Sequence, residues 1–332
     1  MDEPDLTVSA KDKWLAAQAP INAKIRSMPI RIDPKDATLG ATITGIDLAH
    51  LDNTSWDIVR QAFLEFGVLI FPEQALSDDV QIAFASRFGE LETPLAAISN
   101  ERSNGEVVDD NDLPYWILRG NERWHIDSSF KPLAAKASCL TAMAVPDAGG
   151  ETQWADMRAG YDALSDEMKQ QVDGLCALHS NYYSHEMLGQ VPQTGDGYGF
   201  HTKGAPLRPL VKTHPETDMK SLYIGRHAYG VPGLTDKQSE KLLAKLLVLA
   251  AQPPRVTEHH WQLGDLAIWD NRRVLIESPR TIIRNQESCV IPGLRETPRL
   301  NWPERSQTFA HRVTNPARQL KSNAGQRADY VT

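Results

Sequence analysis

Downstream of Trp124 the apolar segments are short. Ser138 to Val145, Gln153-Trp154, Val211-Lys212-Thr213, Leu222-Tyr223-Ile224 and Leu266-Ala267-Ile268-Trp269 are each cut off by Gly, Pro or a polar cluster. Segments of this length are too short for stable helices, and their backbone groups are satisfied only by pairing edge to edge. Two stretches, Tyr161 to Val172 and Asp236 to Leu249, carry helical periodicity instead. The fold class predicted is mainly β with α insertions: a jelly-roll barrel carrying helical insertions.

Upstream, residues 1–27 are polar and Ala/Lys-rich, with one helical stretch around Lys11 to Gln18, and read as an N-terminal extension. The domain begins at Met28. Thr42 to Leu48 alternates like a strand, Trp56 to Phe66 has helical spacing, and Gly67 to Phe71 is a buried strand stopped by Pro72. Val80 to Phe88 is a second amphipathic helix ending at Gly89.

With 332 residues the chain buries a substantial core, and its net charge of −8 disfavours nucleic acid and anionic membranes as partners. A small-molecule substrate is the expected partner. Cys139, Cys176 and Cys289 are far apart in sequence, which predicts neither a disulfide framework nor a thiolate zinc site and fits a reducing cytoplasm. No apolar run reaches the length of a membrane span, and no export signal is expected at the N-terminus.

Trp124-His125-Ile126-Asp127 carries the chemistry. On a strand, residues two apart point to one side, so His125 and Asp127 offer an imidazole and a carboxylate to one ion. Two histidines and one carboxylate form the facial site of non-haem Fe(II), so the pair calls for one more histidine. Gly149-Gly150-Glu151-Thr152 follows, where Thr152 offers a hydroxyl to an anionic ligand, or is simply a surface residue of a hairpin turn. His214, His227, His259 and His260 are read as histidines bonded to backbone or carboxylates, outside any metal site.

With Ser221-Leu222-Tyr223-Ile224-Gly225-Arg226-His227-Ala228 and Trp269-Asp270-Asn271-Arg272 added in order, the chain from Met28 to Leu275 resembles the taurine dioxygenase and 2,4-dichlorophenoxyacetate dioxygenase family. These are Fe(II)- and 2-oxoglutarate-dependent oxygenases. The resemblance implies a double-stranded β-helix, His125 and Asp127 as metal ligands, Thr152 as the residue touching the 2-oxoglutarate carboxylate, and Fe(II), 2-oxoglutarate and O2 as cofactors and co-substrates. It also implies self-association. The wording is closer to the aryloxyalkanoate branch, where hydroxylation beside the ether oxygen gives a hemiacetal that breaks into a phenol and an oxo acid, with succinate and carbon dioxide. A taurine or alkylsulfonate substrate is the alternative within the family.

After Leu275 the sequence departs from this pattern. The position of the second iron-binding histidine holds Ile276, and that of the arginine expected to clamp the distal 2-oxoglutarate carboxylate holds Glu287. Residues 276–332 carry a charge of +4, against −12 before them. One hypothesis accounts for both changes: a nucleotide is missing near the Leu275 codon. Restoring a C before the Ile276 codon allows histidine there, arginine in place of Glu287, and Thr-Arg-Val-Ala-Gly-Asp-Pro over Ile291 through Pro298. Codons 275 to 298 of the coding DNA test it. The rival is a native tail in which His311 supplies the ligand. A third reading makes the chain a catalytically impaired pseudoenzyme or binding module. The domain division expected is 1–27 extension, 28–275 dioxygenase domain and 276–332 atypical tail in place of the closing strand, with exposed apolar edges and disorder beyond about residue 276.

Overall fold

The computed structural model describes residues 29–92, 95–100, 102, 106–146, 148–195, 199–278, 288–291 and 293–295. The expected extension 1–27, and Glu287 and His311 of the tail, lie outside the described residues.

In chain order the strands are β1 (Arg31–Pro34), β2 (Ala41–Thr44), β3 (Val68–Phe71), β4 (Ala96–Ser99), β5 (Ala135–Ala144), β6 (Thr152–Asp156), β7 (Cys176–His179), β8 (Leu207–Pro209), β9 (Val211–Thr213), β10 (Lys220–Leu222), β11 (Ala228–Tyr229), β12 (Val256–His259), β13 (Leu266–Asp270), β14 (Val274–Glu277), β15 (Ser288–Ile291) and β16 (Gly293–Arg295). The helices are α1 (Asn53–Phe66), α2 (Asp78–Ser86), α3 (Leu113–Asn121), α4 (Met157–Asp162), α5 (Asp166–Val172), α6 (Asn181–Glu186) and α7 (Asp236–Ala250). The largest sheet runs β1-β2-β3-β13-β5-β15-β4, with β16 also on β5; a second sheet runs β12-β6-β14. The smaller sheets are β11-β7-β8 and β10-β9.

Strand periodicity sorts the core into layers. On β13, Leu266 and Ile268 join Leu69 and Phe71 of β3 in one apolar cluster, while Ala267 and Trp269 join Val68 and Ile70 in another. The first cluster lies against α1 and α2 through Val59, Phe63 and Phe84. The second is the seam between the large sheet and the β12-β6-β14 sheet, where Trp154 and Trp269 meet at 5.8 Å between ring centroids. On β14 the same rule sends Val274 and Ile276 into the seam, and Leu275 to the far side with α7. Each large apolar side chain fully buried in these layers contributes about 1.5–3 kcal/mol.

The helix boundaries follow from local chemistry. Asp52 caps α1 by accepting from the Ser55 N–H, and Gly67 ends it at φ 72°, a conformation that favours glycine. The single helix expected over Tyr161 to Val172 is two, because Ser165 caps a new start by accepting from the Met168 N–H. The strand expected over Trp124 to Asp127 is reduced to one bridge at His125, since the chain turns at Asp127 and Ser128 has φ 54°. Beyond residue 276, β15 pairs with β4 and β5.

Candidate active site

The site lies at the seam, with one donor tied to each sheet. His125 forms a single antiparallel bridge with Ile276 of β14: each backbone N–H donates to the other's carbonyl at 2.9 Å. Asp127 is held by the large sheet instead. Its Oδ2 accepts from Ser138 Oγ of β5 at 2.7 Å and from Trp269 Nε1 of β13 at 3.2 Å. Asn271 Nδ2 in turn donates to Ser138 Oγ at 2.9 Å.

These contacts decide which atoms remain for a ligand. His125 Nδ1 is 2.8 Å from the Arg123 carbonyl, a contact that requires Nδ1 to carry the proton and leaves the Nε2 lone pair free. Nε2 stands 3.4 Å from Asp127 Oδ1. Burial alone would raise the Asp127 carboxyl, but the neighbouring His125 imidazole and the hydrogen bonds from Ser138 and Trp269 outweigh it and hold the group below the usual carboxylate range.

Thr152, the first residue of β6, is buried, so it is not the surface residue of a hairpin turn. Its Oγ1 accepts from Trp261 Nε1 at 2.9 Å, which leaves the hydroxyl proton free to point at an acceptor. His125, Asp127, Thr152, Trp269 and Ile276 line one cavity, together with Ile98 and Leu118. The sequence-predicted His125, Asp127 and Thr152 are thus brought together, with Ile276 opposite.

The other histidines have partners of their own. His214 Nε2 is 2.9 Å from Asp270 Oδ2, His259 Nε2 is 2.9 Å from Asp265 Oδ2, and His260 is exposed beside Glu258. His227 comes nearest, with its ring centroid 6.1 Å from that of His125, but its Nδ1 bonds Ser184 Oγ at 2.9 Å. Ser138, Asn271 and Trp261 were not marked by the sequence as site residues. Asn271 adjoins the Trp269-Asp270 motif, whereas nothing local signals Ser138 or Trp261.

The family model for "Taurine catabolism dioxygenase TauD, TfdA family" matches residues 31–275. The chain belongs to this family. It is 50% identical over 250 residues to the (S)-phenoxypropionate/alpha-ketoglutarate-dioxygenase of Sphingobium herbicidovorans, covering 74% of this chain and 87% of that protein. It is 38% identical over 267 residues to the alpha-ketoglutarate-dependent 2,4-dichlorophenoxyacetate dioxygenase of Cupriavidus pinatubonensis, covering 75% and 91%. The crystal structure of AAD-2 in complex with Mn(II) and N-oxalylglycine superposes with a TM-score of 0.76 at 34% identity, over 82% of this chain and 98% of that one. The family match ends at Leu275, immediately before the residue where the sequence departs from the family pattern.

The enzyme class is therefore that of 2-oxoglutarate-dependent dioxygenases, whose cofactors and co-substrates are Fe(II), 2-oxoglutarate and O2. The residues present fit the ion only in part. His125 Nε2 and Asp127 Oδ1 are of the donor types that a two-histidine, one-carboxylate set uses, whereas Ile276, bridged to His125, is aliphatic. Among the described residues no group of three His, Cys, Asp or Glu side chains is arranged to hold a metal. Also among them, no helix is long and apolar enough to cross a membrane.

Proposed function

We propose that this chain is built as an Fe(II)/2-oxoglutarate dioxygenase for a small organic acid, most specifically an aryloxyalkanoate whose ether bond is cleaved after hydroxylation. The observation that carries the reading is the convergence of His125 Nε2, Asp127 Oδ1 and the Thr152 hydroxyl on one cavity at the seam of two sheets. His125 and Asp127 are the metal ligands, and Thr152 donates to a carboxylate of the oxo acid. The substrate class is supported by the phenoxypropionate and dichlorophenoxyacetate enzymes among the relatives. Relatives named for sulfate esters or sulfonates match at lower identity, 28% and 26%.

The facing sheets, flanked by helices, are the two faces of a jelly roll. Residues 28–275 form the dioxygenase domain, 1–27 an extension and 276–332 an atypical tail. The protein acts in the cytoplasm as a homo-oligomer, without nucleic-acid or membrane partners. Ile276 favours a second reading, in which the chain as written is an impaired enzyme or a binding module.

The test supplies the chain and its Ile276→His form with Fe(II), ascorbate, 2-oxoglutarate and either (S)-2-phenoxypropionate, 2,4-dichlorophenoxyacetate or taurine. Phenol release matched by succinate supports the aryloxyalkanoate reading. Succinate release stimulated by taurine alone refutes it, and iron-loaded protein that turns over none of the three favours the binding module.

A further inference from the structure

We infer that the cavity selects a 2-oxo acid whose far end is uncharged, an apolar-tailed 2-oxo monocarboxylate, over the dicarboxylate 2-oxoglutarate. The inference rests on the proposed function for the presence of a divalent ion beside Asp127, and its test reads binding, not turnover.

Strand periodicity sets the wall. On β5 every second residue shares one face, so Ser138, Leu140, Ala142 and Ala144 form a row. Ser138 begins it by donating to Asp127 Oδ2 at 2.7 Å. The next three are apolar, and all of them line the cavity. From Ser138 to Ala144 the strand advances about 20 Å, longer than the carbon chain of 2-oxoglutarate. Val145 and Pro146 continue the lining past the strand end, and Trp261 adds apolar surface from another element. The polar character of this face therefore ends where Asp127 is held.

Charge then decides the ligand class. Among the described residues that line the cavity, Asp127 is the one carboxylate, and neither Lys nor Arg is present. Arg226 lies against Gly120 of α3, outside this lining. A divalent ion beside Asp127 leaves a single positive charge, which the first carboxylate of a ligand neutralises. Thr152, Asn121 and Ser278 of the lining are uncharged, so a second carboxylate meets no counter-charge there. Burying an ion without one is costly, whereas an alkyl or aryl tail against Leu140, Ala142 and Trp261 gains from the same burial.

The experiment is isothermal titration calorimetry of the full-length protein with 4-methyl-2-oxopentanoate and with 2-oxoglutarate, in excess Mn(II) and again in EDTA. Wild type and Ile276→His are both titrated, and the form that binds decides. The monocarboxylate is expected to bind at least about 10-fold more tightly than 2-oxoglutarate, and to lose that affinity in EDTA. Ala144 is half-buried near the end of β5, so an arginine there reaches the wall from the strand end. Ala144→Arg is expected to reverse the order of the two acids, and Ala144→Met, which adds bulk without charge, to keep it. If Ala144→Arg does not fold by circular dichroism, the order in the unmodified wall decides alone.

Binding of 2-oxoglutarate as tight as that of the monocarboxylate overturns the inference and leaves the proposed function standing. A reversal that Ala144→Met reproduces also overturns it, because charge is then not the determinant, and so does binding that survives EDTA undiminished. Binding of neither acid to either form overturns the inference and the proposed function together.

Discussion

Arg272 is nearly enclosed, and its guanidinium binds Asp270 through Nε and Nη2 at 2.8 and 2.6 Å while Nη1 reaches Glu216 at 2.7 Å. Burial alone would raise Asp270, but the Arg272 charge and hydrogen bonds, with His214 behind them, hold it far below the usual carboxylate range. Removing one member of a buried ion pair leaves the other uncompensated. Arg272→Met is accordingly expected to lose about 3–5 kcal/mol of stability in urea unfolding. Arg272→Lys should recover little, because an ammonium cannot reproduce the two-pronged contact; full recovery would count against this account. Nearer the site, Ser138→Ala frees Asp127 Oδ2 from its 2.7 Å bond. Made in the Ile276→His background, it should weaken Mn(II) binding about 10–100-fold without moving the thermal midpoint comparably. His125 and Asp127 were legible because two donors and their spacing fit in a three-residue word. Ser138 and Trp261 were not, because their partners Asp127 and Thr152 are 11 and 109 residues away and only folding brings them together.

Among the elements, α4 and α7 approach so closely that a Cβ added at Gly160 would lie 2.6 Å from the Ala250 Cβ. Gly160→Val should therefore cost about 1–3 kcal/mol through overpacking, and pairing it with Ala250→Gly should return part of the loss. A chevron or equilibrium urea series on the single and double variants reads this directly; strictly additive losses would show that the two helices are not in contact there. Helices α1 and α7 were legible because each keeps an apolar stripe over four turns and begins at a capping residue, Asp52 or Thr235. The break between α4 and α5 was missed because the apolar spacing continues through Ser165 while its hydroxyl restarts the helix. Strands such as β8 and β11 span three and two residues, too few for alternation to register, and they exist only because β7 lies between them.

Across the whole molecule, the buried histidines make acid destabilising. His179 and His185 are buried, and their enclosure, reinforced by the charges of Arg208 and Arg226 respectively, lowers them to about 3 and about 4. His227 is displaced in the same direction by burial and by Arg226. A histidine whose folded pKa lies below its unfolded value of about 6.5 binds fewer protons when folded, so its contribution is complete above that pH and is lost as pH falls. At pH 5 the loss amounts to as much as about 2 kcal/mol per histidine. The urea midpoint should fall between pH 7.5 and pH 5, a window in which carboxylates with low pKa do not titrate; an unchanged midpoint would contradict the burial of these rings as neutral species. At this scale the mainly β class was legible from segment lengths alone. The seam was not, because it requires knowing that β6 and β13 face each other. The His125–Ile276 bridge has one more consequence, for protein engineering. Because its register is written in main-chain bonds, position 276 is a socket: a pyridyl, bipyridyl or thiolate side chain installed there would arrive at the same address, making this scaffold a host for artificial metalloenzymes with a chosen third ligand.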